Sequence, residues 1–106
     1  MSNVSRGRNL EYAVRDRLRA RGFVVFRCAG SRPVDLVAVK DGRILLVECK
    51  AGLHPSLPPS QLEKLLEISG RVGGSVVLAV RRRYRGIRWF EATAEGLREL
   101  KTFPPL

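Results

Sequence analysis

Two acidic residues and one lysine interrupt an otherwise apolar stretch of chain that runs from Arg32 to Lys50. Asp35 stands near its start, and Glu48 and Lys50 stand at its end. Burying an unpaired carboxylate is costly unless a metal ion or another cation compensates. Carboxylates are ligands that Mg²⁺ prefers, and an ammonium group can offset charge on a phosphate. The three residue types together are therefore typical of a nuclease-like site.

The same stretch predicts a β-hairpin that brings these side chains together. Two runs of β-branched and aliphatic residues flank Asp41-Gly42, the dipeptide that best closes a tight hairpin. Side chains alternate between the faces of a strand, so Glu48 and Lys50 point the same way. Antiparallel pairing about the turn places Asp35 near Glu48, and the two carboxylates then share one patch with the lysine.

Each of these charges also has an ordinary structural explanation. Asp35 follows Pro33 and could be a turn carboxylate. Glu48 and Lys50 could form a surface ion pair, and such pairs usually contribute little. For any one residue the two explanations have about equal weight, because ionisable residues become informative chiefly when a cleft perturbs them. The three together favour function.

Length and charge restrict the class of protein. The 106 residues with 44% hydrophobic content suit a single domain that spans residues 1–106. Lys and Arg outnumber Asp and Glu by 20 to 10, and the net charge of +10 indicates a polyanionic partner such as nucleic acid. No leader segment is visible, and no apolar run approaches the roughly 18 residues of a membrane span. We therefore expect a cytoplasmic, nucleoid-associated protein with no membrane partner.

Periodicity and turn signals predict a mixed α/β fold. The predicted elements are a helix from Ser5 to Arg21, strands at 23–29, 34–40 and 43–50, a helix capped by Ser60 with Glu63 that ends at Gly73-Gly74, strands at 75–80 and 87–92, and a short helix from Ala94 to Lys101. A helix between two strands of one sheet makes a right-handed crossover with parallel pairing. The expected sheet is therefore mixed, with about five strands flanked by helices.

The remaining polar candidates are weaker when each is taken alone. Glu11 lies beside the apolar stripe of the first helix, where a helical pair with Arg15 is the favoured explanation. His54 lies in a Pro-rich loop and is expected on the exposed surface, outside the site. Cys28 and Cys49 lack the spacing of a zinc site and are expected to be reduced core thiols.

Taken in order along residues 7–90, the motifs resemble the archaeal Holliday-junction resolvase family of the PD-(D/E)xK nuclease superfamily. These motifs are the helix with Glu11, then Gly22-Phe23, Arg27, Ala29-Gly30-Ser31, Val34-Asp35-Leu36-Val37-Ala38, Val47-Glu48-Cys49-Lys50, Gly73-Gly74 and Val77-Leu78-Ala79-Val80. An isolated ExK motif is weak evidence, whereas this ordered set is specific. The resemblance implies a restriction-endonuclease-like nuclease core.

The resemblance also implies a site. Glu11, Asp35 and Glu48 correspond to the family's acidic metal ligands, and Lys50 corresponds to its catalytic lysine. Magnesium, for which Mn²⁺ would substitute, also accepts a backbone carbonyl such as that of Cys49. Family members are Mg²⁺-dependent homodimers that cut four-way DNA junctions by paired incisions, which implies roles in DNA recombination and repair.

Several basic and loop residues are predicted to contact DNA. Arg27 matches a phosphate-contacting position of the family, Ser31 matches a loop residue close to the scissile strand, and the arginine run that begins at Arg81 is expected to form a phosphate-contacting edge. The full predicted set is Arg6, Arg8, Arg27, Ser31, Arg32, Arg81, Arg82 and Arg83.

The chain departs from the family at two places. Tyr12 stands where relatives are often basic, and the loop after Lys50 is Pro-rich where relatives are usually lysine-rich. These departures leave open a nuclease of the same superfamily that acts on another DNA structure or duplex sequence, and a non-catalytic basic DNA-binding module. Trp89 and Phe90 are expected to be core or interface aromatics, and together with residues 103–106 they are candidate apolar contacts of a homodimer.

Overall fold

The computed structural model of the protein describes residues 3–52, 54–82 and 85–102, with the backbone alone for residues 3–8. In chain order the elements are α1 (Asn3–Ala20), β1 (Val24–Arg27), a 3₁₀ turn (Ala29–Ser31), β2 (Leu36–Lys40), β3 (Arg43–Ala51), α2 (Pro59–Val72), β4 (Ser75–Arg81), β5 (Ile87–Thr93) and β6 (Gly96–Leu100). Over these residues the strands form one six-stranded sheet in the order β1-β2-β3-β4-β5-β6. The predicted α/β class with a mixed sheet is confirmed, with one strand more than the expected five.

Helix α1 covers one face of the sheet. Leu10, Val14 and Leu18 recur every four residues, so they form one stripe, and all three are buried. They join a core cluster that includes Leu36 of β2 and Val47 of β3. This packing positions the first turns of α1 beside the end of the hairpin where the carboxylates lie.

Strands β2 and β3 form the predicted antiparallel hairpin. Lys40 pairs with Arg43 across the turn, and Leu36 pairs with Val47 at the far end. Both turn residues have positive φ, 49° at Asp41 and 80° at Gly42. That combination is the type I′ geometry, whose twist matches the twist of the two strands. The two-residue turn therefore fixes the register that sets the carboxylates opposite each other.

Helix α2 connects β3 to β4 and covers the opposite face of the sheet. Strands β3 and β4 are parallel, as predicted, and Leu65 of α2 packs with Leu46 and Val76. The prediction that Ser60 caps this helix is wrong. The helix begins at Pro59, because proline at the first helical position has a suitable φ and lacks an N–H group that would need a partner.

The predicted helix from Ala94 to Lys101 is also wrong. Residues 96–100 form β6, which pairs antiparallel with β5. The residues of this segment have good helix propensity, but two cross-strand ion pairs and the backbone ladder outweigh it. Arg98 donates to Glu91 at 2.6 Å, and Arg88 donates twice to Glu99, at 2.8 and 2.9 Å.

The aromatic residues of β5 lie in the core of the chain itself. Trp89 is 8% exposed and Phe90 is 6% exposed. Their assignment to a dimer interface is therefore wrong, because the pleat of β5 turns one into the α1-side cluster and the other toward Leu78. The remaining interface candidates, residues 103–106, lie outside the described residues.

Two further expectations concern the cysteines and the membrane. Cys28 and Cys49 are both free thiols and partly buried, as predicted. They pack against different core clusters, Cys28 on the α2 side and Cys49 on the α1 side. Over the described part of the chain, neither helix combines the length and the apolar character that a bilayer crossing requires.

Candidate active site

The carboxylates of Asp35, just before β2, and Glu48, on β3, each accept a hydrogen bond from the backbone at or next to the other residue. The Asp35 N–H donates to Glu48 Oε1 at 2.9 Å, and the Cys49 N–H donates to Asp35 Oδ2 at 2.8 Å. We call this reciprocal arrangement the carboxylate clamp. Asp35 is 7% exposed and Glu48 is 4% exposed, so two acidic side chains are buried at one end of the β2–β3 hairpin.

Two more polar side chains meet Glu48 on the α2 side of the sheet. Lys50 follows Glu48 by two residues on β3, and its Nζ lies 4.0 Å from Glu48 Oε2. Gln61, in the first turn of α2, donates from Nε2 to the same oxygen at 2.9 Å. Three predicted site residues, Asp35, Glu48 and Lys50, therefore lie together.

The electrostatics of the clamp oppose ionisation of Glu48. Burial raises the pKa of its carboxyl above the usual range, and the charge of Asp35 raises it further. Hydrogen bonds from Gln61 and from the Asp35 backbone, and the ammonium of Lys50, partly offset these effects. Two adjacent buried carboxylates are thus incompletely neutralised by the protein, which is the environment that a divalent cation would relieve.

Glu11 approaches the clamp from α1 but is bound to an arginine. Arg27 of β1 donates from Nε to Glu11 Oε1 at 3.0 Å, and this bond to Glu11 raises the pKa of the guanidinium. Burial raises the pKa of the Cys49 thiol most, and the charges of Asp35, Glu11 and Glu48 add to the effect. The charges of all three carboxylates therefore act on Cys49, although Glu11 forms its bond with Arg27.

The donor set fits a divalent cation at the clamp more directly than at Glu11. Among the residues whose side chains are described, no group of three His, Cys, Asp or Glu side chains is arranged to hold a metal ion. The clamp alone supplies two buried carboxylates of the hard-oxygen type that Mg²⁺ prefers, and Mg²⁺ usually keeps several waters. Glu11 would need to leave Arg27 before it could join them.

A groove of about 620 Å³ lies next to the clamp, and Gln61, which donates to Glu48, is one of the residues that line it. Arg32 and Lys64 contribute positive charge to its walls. The residues that line it are Arg32, Pro33, Ser60, Gln61, Lys64, Leu65, Glu67 and Ile68. The groove offers a basic path toward the carboxylates that an anionic chain could follow.

The other predicted DNA contacts are distributed unevenly. Ser31 is exposed beside the groove-lining Arg32 and has a left-handed backbone, with φ 55°. Arg81 pairs in register with Ala51, so it lies at the same end of the sheet as Lys50.

Arg82 is exposed, next in the chain to this end of β4. Arg83 lies outside the described residues, and so do the side chains of Arg6 and Arg8 on α1. Arg88, from the same arginine run, is paired with Glu99.

Gln61 is the residue that sequence reasoning missed. It precedes Leu65 by four residues and Ile68 by seven, so it extends the buried stripe of α2 by one turn. The sequence does contain a signal for this residue: it is a polar residue on an apolar stripe, in a helix that follows the Glu48 strand. His54 is exposed in its loop, as expected.

Comparison with known proteins identifies the family. The sequence model of the archaeal Holliday junction resolvase family, Hjc, matches residues 2–102. The chain belongs to this family. Two relatives named crossover junction endodeoxyribonuclease Hjc are each 35% identical. The one from Methanocaldococcus jannaschii aligns over 78 residues, which are 72% of this chain and 59% of the relative. The one from Sulfurisphaera tokodaii aligns over 89 residues, 76% of this chain and 62% of the relative.

The Hjc relatives are longer than the matched region, so the chain spans about three fifths of their length. The fold also matches a solved structure. A 1.6 Å structure of Hjc from Archaeoglobus fulgidus, described as a Holliday junction resolvase, superposes with a TM-score of 0.69 at 23% identity. The match covers 87% of this chain and 84% of that one. It supports the mixed-sheet nuclease fold of this Hjc family member.

Proposed function

We propose that this protein is a divalent-metal-dependent endonuclease that resolves four-way DNA junctions by paired phosphodiester hydrolysis. The observation that carries the proposal is the carboxylate clamp with Lys50 beside it, in a chain of the Hjc family. Residues 1–106 are proposed to act as one nuclease domain in DNA recombination and repair.

Each residue of the clamp has a proposed role. Asp35 and Glu48 would hold the cation, together with the backbone carbonyl of Cys49, while the clamp bonds keep the carboxylates in place. Lys50, 38% exposed, would orient the attacking water and offset the charge that grows on the phosphate. Glu11 is proposed to complete the acidic cluster from α1, directly or through water.

Mg²⁺ is the proposed ion, with Mn²⁺ as a substitute. When bound, it supplies a Lewis acid that neutralises the phosphate and makes a bound water more acidic. The support for a cation at this place is the buried pair itself, since burial and the neighbouring charge both disfavour the ionised form of Glu48.

DNA is proposed to approach over the basic groove. Arg32 and Lys64 in its walls, Arg27 beside Glu11, and Arg81 at the same sheet end would contact phosphates. With a net charge of +10, these contacts would make binding strongly salt-dependent, and would support association with the nucleoid.

We further propose a homodimer, because cutting both strands of a symmetric junction requires two clefts related by a two-fold axis. Val24 and Phe26 of β1 are 58% and 57% exposed and are neighbours on one face of the edge strand. They pair in register with Val39 and Val37, and Val37 belongs to the α2-side cluster. An apolar surface continues from that cluster to solvent, and a second copy is its proposed partner.

A substrate panel tests the proposed function. The protein is incubated with Mg²⁺ and a four-way junction, and separately with linear, flap and single-stranded DNA of matched sequence. We expect symmetric nicks in the junction and little cutting of the other substrates. Equal cutting of every substrate would reject junction selectivity, and no cutting of any substrate with Mg²⁺ or Mn²⁺ would reject the nuclease assignment.

A further inference from the structure

The contact between Arg27 and Glu11 joins two groups that the proposed function uses separately. Arg27 is 43% exposed, whereas Glu11 is 13% exposed. The guanidinium is therefore the partner that a DNA strand can reach from solvent. The Tyr12 ring lies beside this ion pair, with its centroid 5.7 Å from Arg27 Cζ and 4.7 Å from Arg15 Cζ.

We propose that Arg27 exchanges partners on the Tyr12 ring: it binds Glu11 in the free protein and a backbone phosphate in the DNA complex, which releases Glu11 toward the carboxylate clamp. This inference rests on the proposed function, because it takes DNA as the ligand that draws Arg27 away. Tyr12 acts as a positioning residue, since its ring face can hold the guanidinium while the hydrogen-bonded partner changes.

The chemistry of both partners supports the exchange. A guanidinium presents N–H donors in a planar fork that matches phosphate as well as carboxylate, so a phosphate can replace Glu11 with similar geometry. The ion pair is largely exposed on the arginine side, and such pairs are weak enough to be displaced. Glu11 then loses its cation, and its charge would add to the charges of Asp35 and Glu48 that act on Cys49 and that would favour a metal ion.

The exchange makes DNA binding compete with the Glu11 bond, and this competition is measurable without a metal. We would measure binding of a four-way junction in EDTA by fluorescence anisotropy for the wild type, Glu11→Gln, Arg27→Gln and the double variant. Glu11→Gln should tighten binding by about two- to fivefold, because Arg27 no longer has to leave a charged partner. In the Arg27→Gln background the same substitution should produce only the effect of removing one negative charge.

Asp16→Asn is the matched control for that charge. Asp16 pairs with Arg15 on the same ring, at 3.0 Å, so its substitution removes one negative charge from α1 and leaves the Arg27 pair intact. A second arm tests the ring. Tyr12→Phe should keep wild-type affinity, and Tyr12→Leu should weaken binding only where Arg27 is present.

The outcomes separate the exchange from the proposed function. Equal tightening by Glu11→Gln with and without Arg27, or a tightening no larger than that of Asp16→Asn, would overturn the exchange alone. Wild-type protein that binds junction DNA no better than linear DNA of the same length would overturn the proposed substrate and leave the exchange standing, because linear DNA also supplies backbone phosphates.

Discussion

Gln61 offers the sharpest test of the site, because its role was visible only in the structure. Its amide donates at 2.9 Å to Oε2 of Glu48, and Glu48 is almost fully buried. Gln61→Leu keeps the helix propensity of the residue, with a side chain one bond shorter, and removes the donor. We expect the variant to be less stable and to require a higher pH for cleavage.

The magnitude follows from the contacts of that oxygen. Removing one partner of a buried hydrogen bond to a charged group costs about 1–3 kcal/mol, and the ammonium of Lys50, 4.0 Å away, should keep the cost toward the lower end. A loss of about 1–2 kcal/mol corresponds to a fall in Tm of roughly 5–10 °C at this chain length. The bond from Gln61 also lowers the pKa of Glu48, so its removal should raise that pKa further.

The assay combines thermal unfolding in EDTA with the pH dependence of junction cleavage in saturating Mg²⁺. In the proposed function cleavage requires the ionised carboxylate of Glu48, so the acid limb of the profile should move to higher pH in Gln61→Leu. Ser60→Ala is the matched control, since Ser60 is the exposed neighbour of Gln61 and lines the same groove. If the two variants have the same Tm and the same acid limb, the bond from Gln61 does not position Glu48.

Further predictions concern the clamp, pH and assembly. Glu48→Gln and Asp35→Asn should each reduce cleavage by at least about 100-fold while junction binding is retained, because the proposed phosphate contacts are made mainly by arginines; unchanged cleavage in a gel assay would remove that residue from the site. In metal-free buffer the raised pKa of Glu48 means that the folded state binds more protons than the unfolded state, so stability should fall as pH rises from the ordinary value of 4.5 through the raised value. In urea titrations the stability of Glu48→Gln should not fall over this pH range, and an equal fall in stability would show that protonation of Glu48 is not its cause. Phe26→Glu should convert a dimer to a monomer in sedimentation at micromolar concentration; a variant that stays dimeric would place the interface elsewhere.

The local part of the site was predictable from sequence. The Asp41-Gly42 turn and the alternation of β3 determine that Asp35 faces Glu48, because a two-residue turn leaves one register for the pair. The four-residue recurrence of Leu10, Val14 and Leu18 similarly determines which face of α1 is buried. These features depend on neighbours within a few residues, and patterns of that kind report them well.

The parts that depend on distant partners were harder to predict. The segment of β6 has the composition of a helix, and only its pairing with β5 makes it a strand. The interface assignment of Trp89 failed for a related reason, since an aromatic residue late in a small chain can fill the core as well as a surface. The Gln61–Glu48 bond and the Arg27–Glu11 bond each join residues at least 13 positions apart, and local sequence patterns carry little information about contacts at that separation.

The type I′ turn at Asp41-Gly42 also sets a limit on how this protein can vary. A single residue inserted there would remove the two-residue turn that pairs Lys40 with Arg43, which allows the β2–β3 pairing to slip by one residue. In a slipped pairing, Glu48 would no longer lie opposite Asp35, and the two carboxylates would be on opposite faces of the hairpin. The proposed active site therefore depends on the length of a turn at the far end of the hairpin, and insertions should be tolerated far less in this turn than in the loop that holds His54.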